Sequence, residues 1–139
     1  SYRVADATSA QGPLRRHDTV WHPRALSLRA MRLASKPLVG EHDFVAFCRQ
    51  RAGATTVRTI RRLSWTRGAD GVLLATVEAN AFCHQMVRSL VGALLAVGDG
   101  RRPLEWPGSL LSAPSRVPGV QVAPAHGLTL CAVGYPRGG

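Results

Sequence analysis

The sequence predicts an α+β fold, an antiparallel sheet packed on a long buried helix, and two adjacent stretches carry that prediction. Residues 80–100, NAFCHQMVRSLVGALLAVGDG, contain no proline, and between Ala81 and Val97 the only clearly polar side chains are His84, Gln85, Arg88 and Ser89. At about 100° per residue, Phe82, Cys83, Met86, Val87, Leu90, Val91, Leu94 and Val97 form one continuous apolar face that belongs in a core. Just before it, residues 57–65 and 72–79 read as two strands joined by a Gly68-Ala69-Asp70-Gly71 turn, a hairpin running directly into the helix.

The remaining elements follow in order. Residues 2–6 suit a short strand, residues 11–16 form a charged loop, and residues 17–22 suit a second strand carrying Val20 and Trp21. Pro23 and Ser27 announce a helix with Leu28, Met31 and either Leu33 or Ala34 inward, ending or kinking near Pro37. Residues 38–48 turn at Gly40, and Asp43 caps a short helical turn that places Phe44 and Phe47 in the core. Residues 50–56 read as a loop. The long helix spans residues 81–97, capped by Asn80 and stopped by Gly98 and Gly100. Residues 104–111 form a short helix interrupted by Pro107, residues 112–124 an extended segment, and residues 128–135 a last strand.

A chain of 139 residues suits one domain able to bury a real core. It has no apolar run long enough to cross a bilayer and no basic-then-apolar leader, so a cytoplasmic location is expected. Cys48, Cys83 and Cys131 lack CxxC spacing and read as buried thiols in a reducing compartment. The five histidines share no ligand spacing, which leaves no metal site to expect. Walker loops, nucleophile elbows and dinucleotide fingerprints are absent.

Charge is the compositional anomaly. The formal net charge is +10, with 18 basic against 8 acidic residues, a balance that favours a polyanionic partner. Residues 49–67 hold six arginines and no carboxylate. Arg49, Arg51, Arg58, Arg61 and Arg62 are therefore candidate phosphate contacts, the alternative being a solvated strand face. His84 and Arg88, four residues apart, project together from the less apolar side of the helix. An arginine on so apolar a helix must meet an acceptor, either an anion or, structurally, Glu78 or a helix carbonyl.

The helix sequence resembles the signature of the bacterial tRNA pseudouridine synthase A family. Two further matches fall in the right order, LVGEHDFVAFC at residues 38–48 and APAHGLTLCAVGYP at residues 123–136. The likeness is to the C-terminal half of that family only, with the half bearing the catalytic aspartate absent from residues 1–139. It implies isomerisation of uridine to pseudouridine in the tRNA anticodon stem-loop, at tRNA positions 38 to 40: an aspartate attacks, the N-glycosidic bond breaks, and the base is turned and rejoined through carbon. The Arg-Thr-Asp motif that carries the nucleophile has no counterpart here. The resemblance assigns Arg88 as the partner of that aspartate and Tyr2 as a contact to the flipped base; His84 is a candidate substrate contact that either lines the RNA surface or merely fills space. It implies no cofactor or metal, an N-terminal half and a homodimer in the intact enzyme, and no turnover by this chain alone. The alternative is a basic RNA-binding module without chemistry.

Overall fold

The computed structural model describes residues 1–6, 19–48, 55–83, 85–112 and 120–128. Expectations for the 11–16 loop, for Arg49 and Arg51, for His84, for most of the 112–124 segment and for all but Leu128 of the last strand lie outside these residues.

The hairpin forms as its sequence dictates. β4 (Val57–Arg67) and β5 (Leu73–Ala79) pair antiparallel, with a register irregularity between Ile60 and Arg62. Gly71 takes a positive φ of 83°, the conformation that makes glycine the natural residue of this turn. β1 (Tyr2–Ala5) pairs antiparallel with β5, and β3 (Gly40–Asp43) with β4. At the opposite edge, β2 (Val20–Trp21) pairs with β1 in parallel, Val4 facing Val20. The sheet is thus five-stranded and mixed, ordered β2-β1-β5-β4-β3, where the sequence predicts a purely antiparallel one. A two-residue strand carries too little pattern of its own to reveal its direction; β1 sets it.

One face of the sheet is covered by helices. α1 (Leu28–Ser35) starts where Ser27 Oγ accepts from the Ala30 N–H at 3.1 Å, and turns Met31 and Ala34 inward while Leu33 faces solvent. Across it, Trp65 Nε1 donates to Ser35 Oγ at 3.2 Å, so the indole is buried with its one polar atom satisfied. Pro37 lies in a 3₁₀ turn at Lys36–Leu38 that ends the helical run. Asp43 Oδ1 accepts from the Val45 N–H at 3.1 Å at the head of the turn that buries Phe44 and Phe47. Beyond the sheet, α3 (Trp106–Ser109) carries Pro107 in its first turn, where proline begins a helix and does not interrupt it.

The signature helix differs most from expectation. α2 spans Met86–Gly98, 13 residues, and does not begin at Ala81. Asn80 is not its cap: the Asn80 N–H donates to Thr59 O at 3.1 Å and its Oδ1 accepts from the Thr59 N–H at 2.9 Å, which holds the chain to the sheet past the end of β5. Cys83 is then joined to Cys48 by a disulfide, Cα atoms 5.7 Å apart, so these two are not the free buried thiols that their spacing suggests. Only at Gln85, in the left-handed conformation with φ 65°, does the chain turn into the helix. Phe82, assigned to the apolar helix face by periodicity, is consequently 38% exposed. At the other end, Gly98 crosses α1 so closely that a Cβ would lie 2.8 Å from the Met31 side chain.

Candidate active site

Eleven of the thirteen α2 residues are buried; Arg88 and Gly92, one helical turn apart, are the two that are not. Over them runs a segment of irregular backbone, residues 120–128, held by the burial of Val120 and Ala123. The Ala123 N–H donates to the Arg88 carbonyl at 3.0 Å, and Arg88 Nε donates to the Ala123 carbonyl at 2.8 Å. At Gly92 the approach is closer still: an added Cβ would overlap the Gln121 carbonyl oxygen and sit 2.9 Å from its carbon.

The carbonyl that follows Ala123 serves the second residue of interest. The Tyr2 hydroxyl donates to Pro124 O, and Tyr2 bridges to Leu128. Gly127 lies over the Tyr2 ring, where a Cβ would be 2.7 Å from Cε1 and Cζ. Tyr2 is therefore fully buried, and contact between its ring and a base requires the stretch above it to move. Burial raises the hydroxyl pKa well above its ordinary value, the nearby Arg88 charge opposing the shift, so Tyr2 is a neutral donor at physiological pH.

Beside this arrangement opens a pocket of about 290 Å³ lined by Phe82, Cys83, Gln85, Met86, Val87, Arg88 and Leu128. Its volume is at the low end of small-molecule sites, ~300–1,000 Å³, and its wall is largely apolar. Arg88 commits Nε to Ala123, and neither of its Nη atoms takes a partner among the described residues. The guanidinium is thus held along one edge with the other edge available for the bidentate grip that carboxylates and phosphates favour. No carboxylate of the described residues lines the pocket, and no group of three His, Cys, Asp or Glu among them is placed to hold a metal.

The profile of the tRNA pseudouridine synthase family matches residues 34–136. The chain belongs to that family.

Curated relatives agree with the tRNA pseudouridine synthase match. The chain is 60% identical over 135 residues, 97% of its length, to the tRNA pseudouridine synthase A of Frankia casuarinae. It is 56% identical over 137 residues to that of Streptomyces griseus and 50% identical over 137 residues to that of Mycobacterium leprae. It spans about half the length of the curated relatives it matches, covering 49%, 48% and 47% of these three.

Of the arginines singled out by charge in this tRNA pseudouridine synthase family member, three are described. Arg62, and not Arg88, pairs with Glu78, at 3.4 Å in an exposed surface contact. Arg61 Nη2 reaches Ala79 O at 3.3 Å, just before the pocket segment, and is otherwise exposed. Arg58 turns back on its own strand, donating to Thr55 O and Val57 O at 2.9 and 2.8 Å. Sequence reasoning missed Phe82 as a pocket residue, because a helix assumed from Ala81 turned it inward. It also missed Ala123 and Pro124, which act through backbone carbonyls and leave no side-chain signal.

Proposed function

We propose that this chain is the C-terminal half of a tRNA pseudouridine synthase, in which Arg88 pairs with a nucleophilic aspartate supplied by the N-terminal half. The observation that carries the reading is the Arg88 guanidinium, fixed at Nε by Ala123 O, on a residue that lines an apolar pocket bearing none of the described carboxylates. A cation within about 4–6 Å lowers a carboxylate pKa by about 1–3 units, which would keep the nucleophile ionised for its attack.

In this reading the substrate is tRNA and the reaction is isomerisation of uridine to pseudouridine in the anticodon stem-loop, at a base taken out of its stack. The pocket accepts that base, with Phe82 offering an aromatic face at its mouth. Tyr2 contacts the base once the Pro124–Gly127 stretch shifts, and Arg58 and Arg61 hold phosphates on the approach. Neither cofactor nor metal takes part; the intact enzyme is a cytoplasmic homodimer. When the rotated uracil rejoins through carbon, the bond to the aspartate breaks, the ring carbon now joined to the sugar loses its proton and N1 takes one up, so the protein returns unchanged.

The test is pseudouridine formation on an unmodified tRNA transcript. The full-length protein carrying this chain is expected to form pseudouridine in the anticodon arm, and this chain by itself to form none. Turnover by the chain alone would show a nucleophile within residues 1–139, and a silent full-length protein would refute the activity.

A further inference from the structure

We propose that Gly92 is a positioning residue for the Arg88 guanidinium, acting through the 120–128 strap. The proposal rests on the reading of Arg88 as the partner of a carboxylate.

Four observations converge on it. The strap meets α2 at two consecutive turns: at Arg88, through the reciprocal pair of hydrogen bonds with Ala123, and at Gly92, through direct backbone contact with Gln121. No side chain is tolerated at the second point, since even a methyl group would overlap a carbonyl oxygen, and that oxygen belongs to backbone that cannot swing aside as a flexible side chain would. Two further carbonyls of the strap, Ala123 O and Pro124 O, are the acceptors that fix Arg88 Nε and the Tyr2 hydroxyl. Finally, the far end of the strap is seated by the same device, Gly127 lying flat on the Tyr2 ring.

The consequence is a lever. The depth at which the strap sits on Gly92 sets where the Ala123 carbonyl lies, and that carbonyl sets which edge of the guanidinium faces the pocket. If the strap lifts by the room a methyl group needs, the Nε acceptor is withdrawn and the long, flexible arginine side chain can rotate away from the orientation in which its two Nη atoms face one carboxylate. The helix itself is favoured by the change, since alanine is the better helix former, so Gly92→Ala separates the local seat from the stability of α2.

In the full-length protein carrying this chain, Gly92→Ala is expected to lower kcat for pseudouridine formation about 10–100-fold, the range a displacement near 1 Å produces, with KM for the tRNA transcript changed less than about threefold. Arg88→Met added to Gly92→Ala should cost no more than Arg88→Met alone, because both act on one interaction. The Arg88 Nε–H resonance, read by NMR in the same variant, should exchange with solvent at least about tenfold faster as its acceptor withdraws. Val120→Ala, which loosens the strap's apolar anchor without crowding α2, should move all three readouts in the same direction, and it carries the test if Gly92→Ala does not fold. An unchanged Nε–H exchange, an unchanged kcat, or a loss that simply adds to that of Arg88→Met overturns the proposal. Faster exchange in a protein whose turnover survives Arg88→Met overturns the reading of Arg88, and this proposal with it, while leaving the strap geometry standing.

Discussion

Arg88 and Ala123 hold each other twice: the side chain of Arg88 donates to the Ala123 carbonyl at 2.8 Å, and the Ala123 N–H returns to the Arg88 carbonyl at 3.0 Å. An arginine on a largely buried helix is thereby tied to the backbone of a distant segment, and only part of its donor set is used. That leaves both Nη atoms of an arginine that lines the pocket without a partner among the described residues.

Phe82 stands 38% exposed at the pocket mouth and is not needed to fill the core. Phe82→Ala is expected to weaken tRNA binding by about 1–3 kcal/mol, the range for one base stacked on one aromatic ring, with the melting temperature nearly unchanged. Equal affinity in the variant would remove Phe82 from the substrate path.

The arginines differ in how free they are. Arg62 is paired with Glu78, whereas among the described residues Arg61 and Arg58 meet only backbone oxygens. Replacing Arg58 and Arg61 with alanine should flatten the slope of log K against log salt by about 0.7–0.9 for each phosphate left without its cation, and replacing Arg62 alone should change it little. An unchanged slope in the double variant would return these residues to a solvated strand face.

The Cys48–Cys83 bond closes a sequence separation of 35 and anchors a residue of the pocket wall. Urea unfolding with and without a thiol reductant should differ by about 2–4 kcal/mol, the cost of reopening such a loop. Identical midpoints would mean that the two sulfurs contribute nothing as a bond.

Asp99, just past the end of α2, accepts from Arg101 Nε at 2.8 Å and faces His22 Nε2 at 3.1 Å. Burial pushes its carboxyl pKa up, but the hydrogen bonds and charge of Arg101, with His22, outweigh burial and leave the pKa below its ordinary value. A carboxyl depressed on folding stabilises above its unfolded pKa, and that stability is lost as pH falls through the folded one. Asp99→Asn is therefore expected to cost about 1–3 kcal/mol at neutral pH, as for hydrogen bonds to a charged group, and progressively less as the solution is acidified below the carboxylate range. A penalty that stays constant with pH would assign the loss to packing.

Much of the frame is legible in the sequence because it is local. The Gly68–Gly71 turn between two strand-forming runs specifies the hairpin, and Ser27 with Met31 and Ala34 specifies α1. The errors fall where a distant partner decides. Asn80 has the chemistry of a helix cap, but Thr59 competes for it and wins, which delays α2 to Met86 and leaves Phe82 exposed. The direction of β2 is set by β1, and the pairing of Cys48 with Cys83 by the fold that brings them together. Arg88 stands out as a charge on an apolar helix. The strap that holds it does not, because it acts through the carbonyls of Ala123 and Pro124 and through the missing side chain of Gly92.

The role of Arg88 is tested by single-turnover pseudouridine formation in the full-length protein carrying Arg88→Met, measured beside its affinity for the same tRNA transcript. Pairing of Arg88 with the nucleophile predicts a rate at least about 100-fold lower, comparable to losing one preorganised charged donor, with affinity within about threefold of the parent protein. A variant that isomerises uridine at the parental rate would contradict it.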